Sequence, residues 1–272
     1  MIDPDGYGCW MTTNPQELIR QQFGANAANY ATSTVHAKGA SLNRLVEVMD
    51  PKASWQMLDI ATAAGHTAFV FAPHVAEVVA SDLLDEMLEV ARGEAERRGI
   101  ANVQFRAADA EALPFADASF DGVTCRIAPH HFADQAAFVS EVARVLRPGG
   151  SFGLVDNMVN TEASAFVNDW EQKRDPSHVL ARSVDDWLGL ITDAGLVVTS
   201  TETMAKRMEF AAWTENMSVP EPVRVELLAE LETAPAAAAA YLRPSIETPG
   251  DQSSAAFHLT EGIITAVKPA SN

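Results

Sequence analysis

The sequence predicts an α/β fold: a doubly wound, mainly parallel sheet with helices on both faces. Three observations carry that reading. From Trp55 onward, short apolar runs alternate with amphipathic helical segments, the signature of repeated βαβ units. The run Leu58-Asp59-Ile60-Ala61-Thr62-Ala63-Ala64-Gly65 leads from an apolar strand through an acidic residue and a small-residue loop into a helical pattern. The turn Leu146-Arg147-Pro148-Gly149-Gly150 divides a helix from a further apolar run.

Taken in order, Asn14-Pro15 supplies an N-cap and a proline at the first helical position, opening a helix to about Phe23. A second helical pattern covers about His36 to Met49. Strands fall near 55–60, 76–81, 103–107, 120–125 and 151–156, with helices near 65–73, 84–98 and 134–146. Asp134 is the N-cap of the last of these, and Phe138, Val139, Val142, Val145 and Leu146 form its buried stripe. Ser183-Val184-Asp185-Asp186 caps a helix to about Ala194, which Gly195 ends. Strands follow near 196–203 and 257–267, the latter rich in β-branched and aromatic residues. Residues from about 207 to 252 are too long for a hairpin and, with 14–49, are the candidate lid. Within them Ala236 to Ala240 reads as helix.

The loop after Leu58 is a cradle for a nucleoside-bearing ligand, because small residues let the backbone approach closely and the next helix offers backbone N–H groups. Two ligand classes fail on its letters. A dinucleotide fingerprint wants glycine where the chain has Ala61, Ala63 and His66. A triphosphate-binding loop wants a lysine that Gly65-His66-Thr67 lacks. What remains is acidic-x-small-x-small-x-Gly.

With Asp82 after Val78-Val79-Ala80-Ser81, then Ala108-Asp109-Ala110, Phe120-Asp121, Cys125-Arg126, His130-His131-Phe132 and the Leu146–Gly150 turn, residues 14 to 157 resemble the class I S-adenosylmethionine-dependent methyltransferases. Within that family the likeness is to the ubiquinone/menaquinone-biosynthesis-like branch. The resemblance implies a seven-stranded Rossmann-like sheet whose last strand is antiparallel, S-adenosylmethionine as cofactor, and transfer of a methyl group to oxygen or carbon of a small acceptor. It also implies one methyltransferase domain over 14–272; the Pro, Gly and Asp content ahead of the helix start reads as a disordered extension at 1–13. The family prefers glycine at positions 61 and 63. A protein that binds the cofactor without methyl transfer, or runs another reaction on the scaffold, is the rival reading.

Ligands of such sheets bind beyond the carboxyl ends of the strands. Asp82 is placed there to accept hydrogen bonds from ribose hydroxyls, with Leu83 and Met87 against the nucleoside. By resemblance, Ala108, Asp109 and Ala110 meet the adenine, Ala61, Thr62, Ala63 and Gly65 form the cradle, and Tyr30 and His36 close over it. Asp59 orients the loop or reaches the methionine ammonium through water. Arg126, with Ile127 and Ala128, faces the methionine tail or an acidic substrate. His130 and His131 are the candidate acceptor-side bases, since an imidazole titrates near neutrality. Asp156 is a second candidate base or orienting acid, and His178 a candidate liner of the acceptor site.

A chain of 272 residues, 47% hydrophobic, is enough for one sizeable domain with a cap. Its formal charge of −18 argues against nucleic acid as partner. Cys9 and Cys125 have neither disulfide-framework nor metal-ligand spacing, as suits a reducing cytosol. No apolar run has membrane-spanning length. The expectation is a cytoplasmic monomer or homodimer with a small-molecule acceptor, no metal and no membrane insertion.

Overall fold

The computed structural model describes residues 17–20 and 39–270. The extension at 1–13, the Asn14-Pro15 helix start, Tyr30 and His36 lie outside them. Residues 17–20 are helical. The elements that follow are α1 (Ala40–Met49), β1 (Gln56–Ile60), α2 (His66–Phe71), β2 (Glu77–Asp82), α3 (Asp85–Arg98), β3 (Val103–Ala107) and β4 (Phe120–Arg126). Then come α4 (Gln135–Val145), β5 (Leu146–Asn157), α5 (Thr161–Arg174), α6 (Val184–Asp193) and β6 (Val197–Glu209). The chain closes with α7 (Phe210–Glu215), α8 (Glu221–Glu232), α9 (Ala236–Leu242), β7 (Ser245–Ile246) and β8 (Ala255–Val267).

The sheet runs β3-β2-β1-β4-β5-β8-β6, with β7 paired to β8 beside this path. Its first five strands are parallel, and β8 is antiparallel to both β5 and β6. The expected seven strands are therefore the path itself, and the eighth is a two-residue addition. Strand order reverses between β1 and β4, so the carboxyl ends of these two strands flank the crevice where such sheets take ligands.

The period-two alternation of β1 explains why both faces are covered. Leu58 and Ile60 join the core under α4 and α6, whereas Met57 joins the core under α1, α2 and α3. Gly153 lets α1 lie on β5: a Cβ there would strike Met49 and come within 2.8 Å of Leu45 Cδ1. The expected caps form. Asp134 accepts from the Ala137 N–H, and Ser183 and Asp186 make a reciprocal capping box.

Several boundaries move. Strand β6 runs to Glu209 and β8 starts at Ala255, so the inserted segment is 210–254, and its helices share a third core with α5. The turn Leu146–Gly150 is the opening of β5, carrying a register shift against β4 between Phe120 and Gly122.

Candidate active site

One cleft crosses the carboxyl ends of β1, β2, β4 and β5 and continues under the 210–254 insertion. At one end it is lined by Ile19, Ala61, Ala63, Asp82, Leu83 and Met87, and at the other by His130, His178, Lys206, Met208, Trp213 and Leu259. Thr62, Ala108, Asp109, Ala110, Arg126, Ile127, Ala128 and His131 line it as well. Sequence reasoning thus placed most of the sheet-borne lining. Asp59, Gly65 and Asp156 do not line it, and each has a different task.

Asp59 lies beneath the loop, 1% exposed, and accepts from Thr62 Oγ1 at 2.6 Å and Thr124 Oγ1 at 2.8 Å. Its side chain ties the loop to β4 and is not part of the cleft lining. Burial pushes its carboxyl up to about 6, against the pull of these two hydroxyls. Gly65 has φ +85° and faces the other way: a Cβ would strike the Phe69 ring, so glycine is needed for packing beneath the loop. The loop also uses more of its own N–H groups than a ligand cradle would suggest. Thr62 N–H donates to Ser81 O, Gly65 N–H to Thr62 O, and Ala63 N–H to Asp82 Oδ2.

Backbone strain gathers at this rim. Ala61 and Ala63 have φ +52° and +47°, and Ile127, directly after β4, has φ +52°. Left-handed backbone is rare for alanine and rarer for a β-branched residue. Such outliers persist only where neighbours determine them, and they cluster at ligand sites.

Asp82, 8% exposed at the end of β2, accepts from Ala63 N–H through one oxygen and from Leu84 N–H through the other, at 2.9 and 3.0 Å. Each oxygen keeps a second lone-pair site. The carboxylate can therefore take two hydroxyl donors without giving up the loop. Asp109 lies two residues past β3, where its Oδ1 accepts from Glu111 N–H. Arg126 ends β4, with Nε 3.4 Å from Ser41 Oγ on α1. Buried Glu261 lies near it and also pairs with Lys206 at 2.7 Å. Burial works against the Glu261 charge, but Lys206 and Arg126 outweigh it and hold the carboxyl below its usual range.

The acceptor end is a buried polar cluster built where Pro129–His131 meets the segment 174–181. His130 O accepts from the N–H groups of Val179 and Leu180, fastening the two together. His130 Nδ1 lies 2.6 Å from Asp156 Oδ1, and Asp156 is fully buried behind it. Of the two roles the sequence leaves open for Asp156, base or orienting acid, this contact favours the second. Burial lowers the proton affinity of His130, yet the adjacent Asp156 charge and hydrogen bond carry its pKa above the usual imidazole value.

His131 and His178 are held in the opposite sense. Burial drives His131 down to about 3, with His130 adding to the effect, and His178 to about 2. His131 Nδ1 faces Ser177 O at 3.1 Å and Ser177 Oγ at 3.2 Å, and that hydroxyl donates to Asp175 Oδ1 at 2.5 Å. The imidazole nitrogen must therefore be the donor there. The three ring centroids stand 4.2, 5.5 and 6.5 Å apart.

Several lining residues had no role in the sequence reading: His66, Asn157, Glu171, Arg174, Lys206 and Trp213. His66 was legible, since it opens the helix straight after the loop. The others come from β5, α5, β6 and α7, and only the tertiary fold brings them to the rim.

The residues fit an adenosyl sulfonium. Two carboxylates stand at the ends of neighbouring strands beside apolar Ile19, Leu83 and Met87, and a cation stands across the crevice. Comparison with known proteins gives the family. A model described as a methyltransferase domain matches residues 58–154. The methyltransferase YcgJ of Bacillus subtilis is 36% identical over 214 residues, 78% of this chain and 85% of that protein. Its crystal structure superposes with TM-score 0.81 at 33% identity, over 85% of this chain and 99% of that one. The protein BH2331 of Bacillus halodurans superposes with TM-score 0.81 at 36% identity, over 85% and 100%. The ubiquinone/menaquinone biosynthesis C-methyltransferase UbiE of Bdellovibrio bacteriovorus is 37% identical over 149 residues, 53% of this chain and 63% of that protein. Identity over most of both chains and a shared fold have one reading: the chain belongs to the class I S-adenosylmethionine-dependent methyltransferases.

Proposed function

We propose that this chain methylates oxygen or carbon of a small acceptor held between the three histidines and the wall formed by Trp213, Met208 and Leu259. The observation that carries this is the His130–Asp156 pair at the cleft: a buried carboxylate fixes Nδ1 and raises the basicity of the ring beside the acceptor space. Bound S-adenosylmethionine supplies an electrophilic methyl group, its carbon–sulfur bond breaking with the electron pair kept on the departing thioether.

The residues of the chain do the rest. Asp82 and Asp109 would hold the ribose and adenine, with Leu83, Met87 and Ile19 against their faces. Arg126 would meet the carboxylate of the methionine moiety. His130 Nε2 takes the proton that the acceptor must lose, while Asp156 keeps the ring oriented and stabilises the imidazolium that forms. The apolar walls exclude water from a displacement that depends on alignment.

Calorimetry with S-adenosylmethionine and S-adenosylhomocysteine tests the nucleoside end. Asp82→Ala is expected to weaken both by about 10- to 100-fold, since hydrogen bonds to a charged group are worth about 1.5–3 kcal/mol. Equal affinity in parent and variant would remove the ribose role. No binding heat in the parent at millimolar ligand would remove the cofactor reading of the cleft.

A further inference from the structure

The donor and acceptor roles around His178 can be settled by counting. Asn168 Oδ1 accepts from Ala181 N–H at 2.7 Å, while Asn168 Nδ2 donates to Ser164 O at 3.0 Å and Ala181 O at 3.2 Å. Flipping this amide would set its NH2 against an N–H and its oxygen against two carbonyls. The oxygen 2.7 Å from His178 Nε2 is therefore an acceptor, and Nε2 must carry the proton. His178 is left with Nδ1 as a lone-pair acceptor. The same count at His130 gives Nδ1–H donating to Asp156 and Nε2 as the acceptor of the basic form.

Both rings line the cleft, with centroids 5.5 Å apart, and neither remaining nitrogen has a hydrogen-bond partner among the described residues. No set of three or more side chains among those residues is arranged to hold a metal ion. Two imine nitrogens facing one cleft ask for two donors from whatever displaces solvent there, because an acceptor covered without a donor loses its hydration for nothing. The surrounding wall is mixed: the broad apolar side chains of Phe132, Met208, Trp213 and Leu259 alternate with Glu171, Arg174 and Lys206. Trp213 is itself held rigid, stacked on Trp170 at 4.3 Å.

We infer that the acceptor is a molecule carrying two neighbouring hydroxyl groups, one donating to His130 Nε2 and its neighbour to His178 Nδ1. This rests on the transfer reading above, with the hydroxyl at His130 as the methylated oxygen. Its proton passes to Nε2 as the oxygen–methyl bond forms. Methylation removes one of the two donors, so the product is held less well than the substrate and leaves.

The test uses the full chain loaded with S-adenosylhomocysteine and three probes: naphthalene-2,3-diol, 2-naphthol and naphthalene-2,7-diol. Calorimetry is expected to give the 2,3-diol about tenfold tighter binding than either comparator, the worth of one additional buried hydrogen bond. With S-adenosylmethionine, mass spectrometry is expected to show the mono-O-methyl product of the 2,3-diol. His178→Leu is expected to abolish the preference for the neighbouring pair, with its thermal transition and its S-adenosylhomocysteine heat as controls for folding. Equal binding of all three probes by the unmodified chain overturns the inference, whether or not the variant folds. Preferential binding of the 2,3-diol with no methylated product upholds the donor count and overturns the transfer reading instead.

Discussion

Replacing Ala61 and Ala63 with glycine is expected to stabilise a chain from which two methyl groups have been removed. Both residues hold left-handed backbone, at φ +52° and +47°, a conformation that costs an L-residue about 1–2 kcal/mol. Glycine has no such cost in the folded state, but it loses about 0.4–1 kcal/mol through its extra freedom when unfolded. The net gain is about 0.5–1 kcal/mol per site and about 1–2 kcal/mol for the pair, with imperfect additivity because the two share one loop. At about 2–4 °C per kcal/mol for chains of this size, the double variant should melt about 2–8 °C higher by scanning calorimetry. Urea melts should show a shifted midpoint and an unchanged slope. Gly65→Ala is the internal contrast. It meets the same φ penalty and drives a Cβ into Phe69, so it should lose about 2 kcal/mol or more. A double variant that melts at or below the parent would refute the claim of stored strain.

Other outcomes follow from the histidines and the packing of α1. In Asp156→Asn, the His130 imidazole loses the charge that raises its proton affinity; its titration midpoint, followed by nuclear magnetic resonance, should lie above 6.5 in the parent and below it in the variant, and an unmoved midpoint would dissociate the pair. His131 and His178 stay neutral in the fold with pKa values of about 3 and 2, so below about pH 6.5 the unfolded chain binds protons that the folded chain refuses, and stability falls with pH. Between pH 7 and 5 these two should withdraw about 2 kcal/mol each, while Asp59, raised to about 6, returns about 1 kcal/mol and His130, held above the usual imidazole value, returns part of the rest; urea melts should show a net loss of about 2 kcal/mol, and flat stability would contradict the assignment. Gly153→Ala pushes Met49 and Leu45 off β5 and should cost about 1–3 kcal/mol in the same melts, with lost protection of α1 amides from hydrogen exchange.

Local signals made the first half of the sheet legible. Small residues between an apolar strand and a helix, acids at strand ends and capping residues such as Asp134 and Ser183 are each decided within a few positions. Helix α5 carries such a signal too, an Asn160 cap that accepts from the Ala163 N–H, but no apolar face toward the sheet to go with it. Its Ala163, Val167, Trp170 and Glu171 form a helical stripe, but one facing the inserted helices instead of the sheet. The true role of Asp59 was open because the letters cannot say whether an acid faces the cleft or two threonines beneath it. Asp156 was assigned to the cleft for the same reason. The Asn168–His178 contact joins two segments that no short-range pattern connects.

The core that α5 shares with the 210–254 insertion has a further consequence. Trp213 and Leu259 stand in that cluster, together with Trp170, Phe210, Leu227 and Phe257, whereas the buried residues of β1 belong to the other two. Side chains that shape one end of the cleft are thus braced by a core separate from the two that carry β1. Mutational drift in that outer block can reshape what the enzyme admits while the adenosyl grip is inherited intact, a division of labour that lets a single ancestral scaffold diversify by changing one module at a time.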